Sequence, residues 1–210
     1  STPKPSSAAS DVYKRQVLST TFDKYCYVNV RHLPRFFDYS SELTYSKMER
    51  VKDTDDIKHP AIREAMKFLD MQEIRLTYEA DLPARSGLGT SSSFAVGMLN
   101  AFYALKGKYA DKKKLADEAI YLERVLCNEA GGWQDQIAAS FGGFNRINFN
   151  TDGTYDVLPV IISPERKQHL NNNLMMFFTG FTRFSSEVQK ANNVSGSEEK
   201  RVRLKKMYEL

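Results

Sequence analysis

Cysteine is scarce in this chain: only Cys26 and Cys127 occur among 210 residues. They share no metal-ligand spacing, which leaves them as two core thiols in a reducing cytoplasm. The three histidines, His32, His59 and His169, are too scattered to form a histidine metal site. Long apolar runs are also missing. LMMFF at 174–178, among the longest, falls far short of the roughly 20 residues a bilayer requires, and no signal-type apolar segment opens the chain. The expectation is a cytoplasmic protein with no membrane partner. A concentrated basic surface is absent as well. The net charge is +4, but residues 1–16 and 198–210 each carry an excess of two positive charges, so the stretch between them is neutral. No basic stripe interleaved with aromatics remains, and a nucleic-acid partner is not expected.

What the chain does have is apolar and aromatic content, at 41% and 12%, enough for a substantial core. The length suits one large domain, or one domain and part of another. Residues 1–16, rich in Pro, Ser and Ala and without periodicity, read as a disordered or non-native leader. Strand-like composition follows over 17–30, as a strand or hairpin. Pro60 opens a helix with Ile62, Met66 and Leu69 on one face. Alternation of Ile74, Leu76, Tyr78 and Ala80 predicts a half-buried strand. Phe94, Met98, Phe102 and Leu105 recur at helical spacing. Asp111 is placed to cap a helix carrying Leu115, Ala119, Leu122 and Leu126. A short helix is expected between the glycine pairs of GGWQDQIAASFGG, then a hairpin turning at Asp152-Gly153. A buried strand, a glycine turn and a helix are expected over 174–191. The fold class is mixed α and β.

The stretch DLPARSGLGTSSSFAVG, residues 81–97, carries the chemistry. Gly87 and Gly89 allow backbone angles closed to other residues and let a ligand approach the main chain. Just before a helix, the amides of Leu88, Gly89, Thr90, Ser91 and Ser92 would meet an anion at the positive end of the helix dipole. A tight turn with a serine N-cap accounts for the same residues. Thr90 stands where a P-loop has its lysine, and the third glycine of a dinucleotide fingerprint is missing. A bound triphosphate would therefore need Mg²⁺ and cations from elsewhere. Two carboxylates are candidates. Glu123 borders the buried stripe Ala119, Leu122, Leu126 and needs a partner there, either a metal or a cation such as Arg124. Asp135 sits at a helix start, as a dipole partner or as a contact for a substrate hydroxyl.

Together these segments resemble the GHMP kinase superfamily, which phosphorylates small alcohols. PARSGLGTSSS at 83–93 is similar to its central motif, and YLERVLCNEAGGWQDQIAASFGG at 121–143 to the segment with its acidic pair. The wording of DLPARSGLGTSSSF, GGWQDQIAASFGGFN and FFTGFTRFSSE is most like the bacterial kinases of D-glycero-D-manno-heptose 7-phosphate. The resemblance implies an α+β N-terminal domain over 17–163, a sheet packed by helices, with a second α+β domain starting at 164–210. It implies transfer of the ATP γ-phosphoryl group to the anomeric hydroxyl of a small sugar phosphate. Gly87, Leu88, Gly89, Thr90, Ser91 and Ser92 would cradle the ATP phosphates, Ser91 and Glu123 would ligate Mg²⁺, and Asp135 would orient or deprotonate the acceptor hydroxyl. Arg183, in TGFTR, is the candidate for the acceptor's own phosphate. The family's N-terminal glycine-rich motif is not found ahead of Val17, nor its late one before Leu210. The expectation is therefore a fragment unable to catalyse alone, with any further basic side chain of the site lying outside it.

Overall fold

The computed structural model describes residues 15–83, 87–129 and 131–177. Seven strands form two sheets. The first has the order β2 (Cys26–His32), β5 (Ile74–Ala80), β3 (Ser41–Thr44), β4 (Met48–Val51). β2 and β4 run antiparallel to their neighbours, and β3 lies parallel to β5. The second sheet is antiparallel, in the order β1 (Arg15–Thr20), β6 (Phe144–Phe149), β7 (Tyr155–Pro159). Residues 17–30 are thus not one hairpin. Val17 pairs with Ile147 and Val28 with Tyr78, so the two halves of the segment join different sheets.

Helices α1 (Pro60–Phe68), α2 (Thr90–Leu105) and α3 (Lys112–Tyr121) enclose the main core. Ile62, Met66, Leu76, Met98, Leu99, Phe102 and Leu122 are buried there. α2 is apolar on most sides and is buried accordingly. It lies tightly on β2 at Gly97, where an added Cβ would stand 3.3 Å from Val28 Cγ2. A smaller core joins Ala116, Ile120, Trp133, Ile137 and Ile147 beneath α4 (Gln134–Phe141) and the second sheet.

Several local expectations hold. Asp111 caps α3, its carboxylate accepting from Lys114 N–H at 2.7 Å. β6 and β7 turn at Gly153, whose φ of +77° suits glycine. The β3–β4 hairpin and α5 (Pro164–Asn172) were not foreseen. In the hairpin Glu49 shares the inward face with Leu43, while Glu42 lies on the opposite face across from Arg50, and both are buried. Glu42 accepts from Arg50 Nε and forms an ion pair with Arg75, and Glu49 accepts from Tyr45 Oη and Lys58 N–H. Buried ion pairs break the apolar alternation by which strands are read. The expected buried strand from 174 is also corrected. Leu174, Met175, Met176 and Phe177 are exposed and outside regular structure, no apolar surface among the described residues covering them, and the remainder of that prediction lies outside the described residues. Arg183 lies outside them too.

Candidate active site

Three helices have side-chain caps: His59 on α1, Asp111 on α3 and Ser163 on α5. α2 and α4 have none. Gly89 precedes α2 in a left-handed conformation, φ +72°, and the first helical bond runs from Ser93 N–H to Gly89 C=O at 2.9 Å. The amides of Thr90, Ser91 and Ser92 therefore have no partner among the described residues, and the expected alternative of a serine N-cap does not form. Unbonded amides at the positive end of a 16-residue helix attract an anion.

Both uncapped ends open on one cleft of about 250 Å³, lined by Gly87, Leu88, Gly89, Thr90, Ser93 and Asp135, with Ala138 and Ala139 of α4. Asp135 stands in the first turn of α4. A Cβ built on Gly89 would lie 3.7 Å from Asp135 Cβ and 3.8 Å from its Cγ. The glycine loop thus passes directly over the carboxylate. Asp135 is reachable from solvent, yet the protein around it pushes its pKa above the usual aspartate value. Gly89→Ala should cost about 1–2 kcal/mol, from left-handed backbone strain rather than a clash, read by denaturant unfolding. Its anion binding should weaken as the amides turn.

The chain widens into a π turn over Leu122–Leu126, closed by Cys127 N–H on Leu122 C=O at 2.9 Å. Within this turn Glu123 is carried into the interior, 4% exposed. Its two oxygens are treated differently. Oε2 accepts from Ser92 Oγ at 3.0 Å in a buried setting and from Gln136 Nε2. Among the described residues, Oε1 accepts only from Ser91 Oγ, at 3.1 Å, where Ser91 is exposed. Arg124, the expected alternative partner, is bonded instead to the Glu129 carbonyl. Among the described residues Glu123 therefore has neutral donors and no cation. Burial pushes its pKa up, the Gln136, Ser92 and Ser91 bonds oppose this, and the Glu129 charge adds to it.

This donor set fits Mg²⁺. It offers carboxylate and hydroxyl oxygens only, and Oε1 is the oxygen turned toward the exposed side. No group of three His, Cys, Asp or Glu able to hold a metal exists among the described residues, so the remaining ligands would come from phosphate and water.

Two residues of the site went unread in the sequence. Gln136 clamps Glu123 from α4, and its position three residues after buried Trp133 was the available signal. Lys24 lines the cleft from the β1–β2 loop. Nothing in its surroundings in sequence distinguishes it from a surface lysine.

A family model described as "GHMP kinases N terminal domain" matches residues 57–143, which hold the glycine loop, Glu123 and Asp135. The D-glycero-alpha-D-manno-heptose 7-phosphate kinase of Campylobacter jejuni subsp. jejuni serotype O:2 is 34% identical over 110 residues, covering 52% of this chain and 32% of that protein. The L-fucokinase/L-fucose-1-P guanylyltransferase of Bacteroides fragilis is 33% identical over 119 residues, covering 52% of this chain and 12% of that protein. The chain thus matches about a third or less of the length of these relatives. Among solved structures, a D-glycero-D-manno-heptose 1-phosphate kinase from Bacteriodes thetaiotaomicron superposes with a TM-score of 0.66 at 24% identity, over 77% of this chain and 56% of that one, which is a likeness of fold. Among the described residues, no helix is long and apolar enough to cross a membrane.

Proposed function

Because the chain carries a GHMP kinase N-terminal domain, we propose that it serves an ATP- and Mg²⁺-dependent small-molecule kinase whose acceptor is a sugar phosphate, D-glycero-D-manno-heptose 7-phosphate first among candidates. The observation that carries this reading is the contact of the glycine loop with Asp135. The phosphoryl donor's anion site and a carboxylate suited to a hydroxyl share one cleft, as phosphoryl transfer requires. In this reading residues 17–163 are the nucleotide-binding domain, and 164–210 begin a second domain with α5 as its first element.

The amides of Thr90, Ser91 and Ser92 hold the triphosphate, with Gly87 and Gly89 keeping side chains out of its path. Asp135 accepts the hydrogen bond of the acceptor hydroxyl and orients its oxygen toward the γ-phosphorus. The new O–P bond forms as the bond from γ-phosphorus to the β–γ bridging oxygen breaks, ADP leaves, and the hydroxyl proton passes to Asp135. The raised pKa of Asp135 strengthens it as a proton acceptor. Ser91 and Glu123 would hold Mg²⁺, which when bound neutralises phosphate charge; Ser92 and Gln136 keep Glu123 Oε2 engaged so that Oε1 faces that position. Because this chain is expected not to catalyse alone, incubation of a full-length protein carrying it with ATP, Mg²⁺ and a panel of heptose 7-phosphate, fucose and galactose, followed by ³¹P NMR, tests the reading. A new anomeric phosphate on the heptose is the expected result. Turnover of fucose or galactose instead moves the acceptor to another GHMP sugar kinase class, and binding of ATP without any turnover makes the chain a non-catalytic homologue.

A further inference from the structure

Among its described lining residues the cleft has a single cation, Lys24. It stands on the short β1–β2 loop, which is fixed on both sides. Thr21 N–H donates to Gly143 C=O and Thr21 Oγ1 accepts from Gly143 N–H, each at 3.0 Å. Tyr25 N–H donates to Asp81 Oδ2, and Asp81 N–H donates to Tyr25 C=O, each at 2.9 Å. Lys24 is thus held between the end of α4 and the segment leading into the glycine loop. Of the neighbouring carboxylates, Asp81 is turned to the Tyr25 amide. Lys24 forms no ion pair among the described residues.

The charge balance of the cleft gives this side chain a task. A phosphate drawn to the amides of α2 is brought up against the Asp135 carboxylate, with like charges facing. The glycine loop residues 87–93 supply no lysine or arginine to offset this. We infer that Lys24 is the phosphate-reading cation of the cleft: its ammonium takes an oxyanion of a phosphate group bound between the glycine loop and Asp135. That group is the phosphoryl in transfer or a phosphate already on the acceptor. The inference deepens the proposed kinase reading by naming a residue for the charge of its substrate, and its binding test does not depend on turnover.

Calorimetric titration of the full chain with inorganic phosphate at fixed ionic strength reads the contact directly. Lys24→Met should weaken binding about tenfold or more, the loss expected for a charge-assisted hydrogen bond, and Lys24→Arg should retain most of it. Both variants should melt with the unsubstituted chain, since the side chain is exposed and unpaired. Equal phosphate affinity in Lys24→Met, or no phosphate binding by the unsubstituted chain, overturns the inference. In turnover assays a raised acceptor KM at constant kcat assigns the contact to the acceptor's phosphate. A lowered kcat at constant KM assigns it to the transferring group, and unchanged kinetics count against the inference. If a full-length protein carrying this chain turns over no sugar phosphate while Lys24→Met still loses phosphate affinity, the kinase reading fails and the Lys24 contact stands.

Discussion

Asp135→Asn is expected to lower kcat for phosphoryl transfer by about two to four orders of magnitude, the range in which a positioned acid–base group contributes, while ATP affinity stays within about threefold. The carboxylate lies against Gly89 and faces the cleft, so the amide keeps the shape and loses both the charge and the proton acceptor. Stability should move the other way. Burial raises the pKa of Asp135 in the folded chain, so the native state holds its proton more tightly than the unfolded one. Stability from this group therefore falls as pH rises from the ordinary aspartate range through the raised value, and stays lowered above it. Asparagine removes that penalty, and the variant should melt at the same temperature as the parent or higher at pH 7. The parent's kcat should rise with pH through the raised Asp135 value and level off. Wild-type turnover by Asp135→Asn would remove Asp135 from the reaction. A strongly lowered melting temperature would show that its place is structural.

The parts of this fold and site that can be read from sequence are those governed by neighbours in the chain. The alternation of Ile74 and Leu76, the Asp111 cap and the turn at Gly153 each depend on a few adjacent residues. The same holds for Gly87 and Gly89, whose left-handed angles follow from a loop that must enter α2 abruptly. What escapes is decided by distant partners. Whether residues 17–30 close on themselves or separate between two sheets depends on Ile147 and Tyr78, and nothing local reports it. Glu42 and Glu49 are buried on opposite faces of the β3–β4 hairpin because two arginines pair with the first and a tyrosine and a backbone amide bond to the second. The candidate site divides similarly. Glu123 borders an apolar stripe in the sequence, but only the π turn carries it inward to meet Ser91, 32 residues earlier. Gln136 looks like a surface amide beside Asp135 until its burial against Glu123 is seen. Lys24 reaches the cleft because the β1–β2 loop is bonded to both Gly143 and Asp81, contacts far apart in sequence.

Glu123→Gln should separate what the site needs from what the fold prefers. Glu123 is buried among neutral donors, and its pKa is raised chiefly by that burial, with the Glu129 charge adding to it. The sign is that of Asp135: the metal-free chain loses stability as pH rises from the ordinary glutamate range through the raised value, because the folded state then carries a buried negative charge that no cation among the described residues pairs. Glutamine keeps the volume, its carbonyl can accept from Gln136, and the serine hydroxyls can rotate to accept from its amide. Without metal at pH 7 the variant should therefore melt higher than the parent, by about 2–8 °C if one or two kcal/mol is recovered. With ATP and Mg²⁺ at about a hundred times their dissociation constant the parent should gain roughly 5–10 °C by linkage, and the variant should gain much less, since Oε1 no longer offers a charge. The order of the two melting temperatures then inverts on adding ligand. A variant that melts lower than the parent without metal, and still shows the full Mg²⁺-dependent gain, would make Glu123 a structural anchor for α2 and α4. Inversion would mean that the buried carboxylate is held at a cost to the empty fold, and that a cation bound beside Ser91 relieves it.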